Sequence, residues 1–194
     1  MTLFIPIALI LSYVLGSIPS GLWLGLRFRG IDIRKEGSKN IGATNTMRTL
    51  GKLYGLIALS FDIFKGWLPV VLAPYVHSWE YLPLACGIAA ILGHTFSIFV
   101  WFRGGKGVAT STGVFLGLAP LPTAIAAAVF FAVVAATRMV SAGSVAAAAT
   151  LGVAVFFVDI PWSIRWVTLA VAALVILKHH SNIRRILRHE ENKL

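Results

Sequence analysis

From Leu53 to His77 the chain runs for 25 residues with only two charges, Asp62 and Lys65. As a helix this stretch rises about 37 Å, more than the roughly 30 Å of hydrocarbon in a bilayer. Further apolar blocks fall at 3–26, 81–102, 108–119, 123–137, 140–158 and 162–178. Turn or charge signals separate them: the polar run Arg27 to Lys52, then HSWE, FRGGKG, APLP, TRM and DIPWS. Backbone that crosses hydrocarbon has to satisfy its polar groups internally. The pattern therefore predicts an all-α, polytopic integral membrane helical bundle, taken as one membrane-embedded domain over 1–194. Only 12% of residues are charged and the mean hydropathy is +0.84, whereas soluble domains carry about twice that charge.

Charge sets the expected topology. Of the 17 Lys and Arg, all but Lys65 and Arg165 lie in 27–52, 103–106, at 138 or in 178–193, while Glu80 and Asp159 mark other loops. The positive-inside rule puts these four basic segments in the cytoplasm. That needs an odd number of spans with the N-terminus outside and the C-terminus cytoplasmic. The block 108–137 reads either as one long tilted helix or as two. Splitting it at Pro120 and Pro122 gives seven spans, the fourth too short to cross alone. No basic segment precedes the first apolar block and no small-residue cleavage site follows it, so 3–26 is expected to remain as the first span rather than be removed as a signal peptide. The single cysteine, Cys86, forms no internal disulfide and reads as a small core residue.

Three polar segments share the predicted cytoplasmic face. The first, GSKNIGATNTMRTLGK, supplies Ser38, Asn40, Gly42, Thr44, Asn45, Arg48 and Lys52. The second, GHTFSIFVWFRGGKGVATSTG, holds His94, Arg103, Gly104, Gly105, Lys106 and Gly107. The third is the tail KHHSNIRRILRHEEN. Glycines leave backbone N–H groups uncovered and admit an anion closely, and a helix starting at Val108 points a positive dipole end at it. A tight glycine turn with topogenic cations explains RGGKG alone equally well, and the Walker A spacing is missing. Three such clusters together point to a substrate bearing one phosphate or two. Asp62 and Lys65, spaced i, i+3 inside a span, read as a structural ion pair facing the bundle interior. No group of His or carboxylates has metal-ligand spacing, no metal or other cofactor is expected, and no nucleic-acid-binding module is present.

The three segments resemble the cytoplasmic motifs of the PlsY family, bacterial membrane enzymes that transfer a fatty acyl group from acyl phosphate to the 1-position of glycerol 3-phosphate. The resemblance runs over some 45 motif residues in order and extends through the flanking spans. It departs at Lys39 and His189, where the family usually has Gly, and at Ser97, where it usually has Pro. It implies functional roles for Ser38, Arg48, His179 and Asn182. It further implies phosphate binding by Gly104, Gly105, Gly107 and Lys106, and a mainly structural Glu191. The implied products are lysophosphatidic acid and phosphate, and the implied location is the bacterial inner membrane with the active site cytoplasmic. Membrane lipid and a soluble acyl-phosphate-producing enzyme are the implied partners.

Because acyl phosphate is an activated anhydride, catalysis needs positioning and oxyanion stabilisation more than a strong nucleophile. Arg48, Lys106, Ser38, Asn182 and the glycine N–H groups are the expected donors. The proton acceptor is His179 or a phosphate oxygen of the donor; the scarcity of acids beside the cationic loops favours the donor. A transporter or flippase for a phosphorylated solute is the alternative, although the chain lacks a clear internal repeat. An acyl-CoA enzyme with a His-x4-Asp signature is disfavoured, since no His here has Asp five positions later.

Overall fold

The computed structural model describes residues 3–193, which are helical without strands. Two compact units form, Met1–Gly117 and Leu118–Leu194. The first contains α1 (Phe4–Ser17), α2 (Ser20–Arg29), α3 (Ala43–Leu50), α4 (Lys52–Val76), α5 (Leu82–Thr95) and all but the last residue of α6 (Val108–Leu118), with a 3₁₀ turn at Ile98–Val100.

The first apolar block is not one straight helix. Pro19 has no N–H to donate and its ring crowds the preceding turn, so α1 and α2 meet at a bend of 48°. Side chains from elsewhere satisfy the carbonyls at the break. Ile18 O accepts from Lys65 Nζ at 2.7 Å, and Ser17 O accepts from Ser97 Oγ at 2.5 Å.

Small residues let the helices of this unit approach closely. A β-carbon at Gly16 would overlap the Ala90 carbonyl, and one at Gly93 would overlap the Tyr13 carbonyl, so α1 and α5 touch backbone to backbone. Gly66 and Gly113 do the same between α4 and α6, against the carbonyls of Thr110 and Ile63. This is how helices associate where lipid removes the hydrophobic drive between them. At 11 residues, α6 rises only about 16 Å and is too short to cross alone.

The block 108–137 is two helices. After α6 the backbone leaves the helical region at Ala119, with φ −148° and ψ 68°, and a new helix starts at Pro120, where proline's missing N–H costs nothing. The second unit consists of α7 (Pro120–Thr137), α8 (Val140–Ala154), α9 (Trp162–Lys178) and α10 (His180–Leu187), with a 3₁₀ turn at Val155–Phe157. Arg165, outside the basic segments, lies 4.5 Å over the Trp162 ring and donates to the carbonyls of Ile160 and Val158 at 3.0 Å each. Its charge is thus held where the aromatic ring and the carbonyls at the start of α9 meet.

Among the described residues, four helical stretches are long and apolar enough to cross a membrane: Lys52–Val76, Leu82–Val100, Pro120–Thr137 and Val140–Phe157. The pairs α1/α2 and α9/α10 reach that length only together, bent by 48° and 56°. Two segments read as polar connections carry helices of their own, α3 in the run 27–52 and α10 in the tail.

Candidate functional site

The opening segment is built around Asn45. Its side chain is 1% exposed, its Oδ1 accepts from the Ser38 N–H at 2.9 Å, and its Nδ2 faces the carbonyls of Ile33 (2.9 Å), Asn40 (2.9 Å) and Glu36 (3.2 Å). An expected phosphate ligand is therefore the centre of the loop's own scaffold, its amide engaged by backbone. Asn40 Oδ1 accepts from the Gly42 N–H at 2.9 Å, turning the chain into α3. This scaffold leaves Ser38, Arg48 and Lys52 exposed and Thr44 half-buried. One acid of this segment is engaged too: Arg34 grips Asp32 through Nε and a second nitrogen at 2.9 and 2.8 Å. That hydrogen bond, working against a smaller effect of burial, lowers the Asp32 pKa to about 2, so it is a poor base near neutrality.

The second segment joins the first through a shared apolar cluster of Leu22, Ile33, Ile41, Leu50 and Val100. The chain leaves this cluster through Trp101 and Phe102, both left-handed (φ 54° and 59°) and pinned by the Phe102 N–H donating to Ser97 O at 2.8 Å. Ser97 has φ −67°, the value proline prefers, and uses its hydroxyl to hold Ser17 O.

The glycines that follow correct one expectation. The N–H groups of Gly104 and Gly105 are not left open to an anion: they donate to Thr95 O (3.2 Å) and His94 O (3.0 Å). Glycine is needed at both positions for space. A β-carbon at Gly104 would overlap the His94 carbonyl, and one at Gly105 would overlap the His94 imidazole. Only Gly107 has a backbone that favours glycine outright, at φ 81°. Its carbonyl accepts from the Ser111 N–H at 2.8 Å as α6 begins. Beside it lie the buried hydroxyls of Thr95 and Ser111, 3.3 and 3.8 Å from where a Gly107 β-carbon would stand, and neither has a protein hydrogen-bond partner. Lys106, the residue before Gly107, is half-buried, and Arg103 is exposed.

His94, expected to bind phosphate, is 5% exposed and lies beneath the glycines. Its Nδ1 faces Asp62 Oδ1 across 3.9 Å. The i, i+3 pair of the sequence does form: Lys65 Nζ is 2.7 Å from Asp62 Oδ1, with side-chain exposures of 0% and 2%.

In the second unit the tail is organised by Glu191. Its Oε1 accepts from Ser141 Oγ (2.8 Å) and Asn182 Nδ2 (2.7 Å), and its Oε2 accepts from Arg185 Nε (2.7 Å). Burial alone would raise this carboxyl's pKa. The hydrogen bonds from Asn182, Arg185 and Ser141, with the charge of Arg185, outweigh it and hold the pKa below its ordinary value. His179, at the end of α9, is buried, with Nδ1 2.8 Å from Val175 O, while its neighbour His180 is exposed and bonds Leu177 O. A carbonyl only accepts, so His179 carries a proton on Nδ1 and Nε2 is the nitrogen whose protonation can change. Sequence reasoning missed Ser141, Arg185 and Ser20. Ser20 and Ser141 lie in the first turns of α2 and α8, with partners 42 and 50 residues away, and Arg185 lies in the short polar helix α10, with its partner across the turn that follows.

The comparisons with known proteins agree over nearly the whole chain. The family described as Glycerol-3-phosphate acyltransferase matches residues 6–189. A glycerol-3-phosphate acyltransferase of Trichlorobacter lovleyi is 50% identical over 182 residues, 94% of this chain and 93% of that protein. One from Geobacter sulfurreducens is 47% identical with the same coverage. Among solved structures, the glycerol 3-phosphate form of PlsY (YgiH), an integral membrane glycerol 3-phosphate acyltransferase, superposes with a TM-score of 0.91 at 33% identity, covering 98% of this chain and 95% of that one. Its lysophosphatidic acid form gives 0.89 at 32%.

Proposed function

This chain belongs to the glycerol-3-phosphate acyltransferase family, and from that premise we propose that it moves a fatty acyl group from acyl phosphate to the 1-hydroxyl of glycerol 3-phosphate. The observation that carries the reading is the likeness over 98% of the chain to a glycerol 3-phosphate form. The relatives are named acyltransferases, which gives the transporter alternative no support.

In the reaction, the acceptor hydroxyl oxygen attacks the acyl carbonyl carbon. The bond from that carbon to the phosphate oxygen breaks, and phosphate departs with the electron pair. The hydroxyl proton passes to an oxygen of the departing phosphate, so no protein base is required. Negative charge gathers on the carbonyl oxygen and then on the phosphate, and preorganised cations and donors stabilise it. Lys106, adjoining Gly107 just before α6, suits one phosphate. Arg48 and Ser38, presented by the Asn45 scaffold, suit the other, since a guanidinium grips phosphate oxygens in pairs. His179 and Asn182 are assigned to the reaction from the motif resemblance, Asn182 being fixed by Glu191.

Charge distribution supports an inner-membrane location with the chemistry at the cytoplasmic face. The deciding assay supplies the purified protein with radiolabelled glycerol 3-phosphate and either acyl phosphate or acyl-CoA. Labelled lysophosphatidic acid from acyl phosphate alone is expected. Product from acyl-CoA alone, or none from either donor, defeats the reading.

A further inference from the structure

The reaction as described makes no use of the most costly feature of the first unit, a carboxylate and an ammonium both shut away from solvent. Charges inside a span are expensive, and a pair that only neutralised itself could be replaced by apolar residues at little or no loss. This pair does more than neutralise itself. Asp62 Oδ1 also accepts from Ser20 Oγ at 2.8 Å, and Lys65 Nζ also donates to Ile18 O at 2.7 Å. These contacts bind α4 to both sides of the break in the first span. The remaining neighbour is His94, with Nδ1 3.9 Å from the same Asp62 oxygen, inside ion-pair range when the imidazole is protonated.

His94 is also the floor of the glycine loop. Its carbonyl takes the Gly105 N–H at 3.0 Å, and the next carbonyl, that of Thr95, takes the Gly104 N–H at 3.2 Å. On the side away from Asp62, its Nε2 lies where a Gly105 β-carbon would stand. One imidazole therefore has the buried carboxylate on one edge and the loop that carries Lys106 on the other.

We infer that Asp62, held by Lys65 and Ser20, is a positioning residue that fixes His94 and through it the height and tilt of the Arg103–Gly107 loop. This rests on the reading that the loop serves a phosphate of glycerol 3-phosphate. The carboxylate touches no substrate; it acts by keeping the imidazole from tipping into the loop.

The test separates positioning from simple stapling of the helices. Asp62→Leu combined with Lys65→Met removes both charges without stranding either one, so a purely structural pair predicts near wild-type kinetics. Positioning predicts a KM for glycerol 3-phosphate raised roughly ten- to a hundredfold, at a smaller change in KM for acyl phosphate. Asp62→Asn with Lys65→Gln keeps the size and neutral hydrogen bonds and is measured alongside, so that a folding failure of the apolar pair leaves the question answerable. Gly105→Ala pushes His94 from the opposite side, and adding it to either double variant should give much less than the product of the separate losses, because both act through one ring. An unchanged KM for glycerol 3-phosphate in the folded double variants overturns the inference, as does full multiplicativity with Gly105→Ala. Wild-type protein inactive with acyl phosphate would instead defeat the functional reading on which it rests.

Discussion

At Lys39 and His189 the backbone φ is 60° and 59°, a region where the β-carbon crowds the carbonyl and a non-glycine residue costs of order 1–3 kcal/mol. Both side chains are exposed, so packing does not oppose a change, and these are the positions where the family pattern has glycine. Lys39→Gly and His189→Gly should each raise stability by about 1 kcal/mol, the relief being partly offset by glycine's freedom when unfolded. Thermal unfolding in detergent checks this, and melting points that stay level or fall in both variants would contradict it. His179 is the residue at which the two routes for the proton part. With the donor's phosphate as acceptor, His179→Gln should weaken turnover yet keep the near-neutral limb of kcat against pH. Loss of a limb near histidine's ordinary value of about 6.5, with a fall of roughly 10²–10⁴ in rate, would make His179 the base instead.

Among elements, α8 and α10 are tied through one carboxylate, Glu191, which takes Ser141 from the first and Asn182 and Arg185 from the second. Its folded-state pKa lies below the ordinary 4.5. The stabilisation is therefore complete above that ordinary value and is lost as pH falls through the lower, folded one. The melting-point gap between wild type and Glu191→Gln should be widest near neutrality and close as the pH is lowered; a gap independent of pH would show that the charge is not what holds α10. The long helices were legible because periodicity hardly matters where a whole block is apolar: 53–77 became Lys52–Val76, and 162–178 became Trp162–Lys178. The short ones were not. At eight residues each, α3 and α10 sit in polar sequence and depend on tertiary contacts such as Asn45 and Glu191, whose partners no local pattern announces. The break at Pro19 did carry a local signal, a proline inside an apolar run, that length alone concealed.

For the whole molecule, the distribution of Lys and Arg predicts seven spans with the N-terminus outside. Lys39→Cys should react with a membrane-impermeant thiol reagent only from the cytoplasmic side, with native Cys86, 1% exposed, staying silent; reaction from the opposite side would invert the arrangement. Composition revealed the membrane bundle and the motifs revealed the acyltransferase family. What they could not reveal was that Gly104 and Gly105 make room for His94, because a missing β-carbon does not say which neighbour needs the space. The bend at Pro19 also bears on how the chain is made. The carbonyls of Ser17 and Ile18 take donors from Ser97 and Lys65, 80 and 47 residues downstream. At roughly 5–20 residues per second, the ribosome delivers Ser97 about 4–16 s after Ser17. A bare carbonyl in hydrocarbon costs several kcal/mol, so the α1–α2 span cannot take its final bent form alone. Its maturation waits for the third apolar block, and a truncated nascent chain ending before Ser97 would carry a first span still lacking one of its locks.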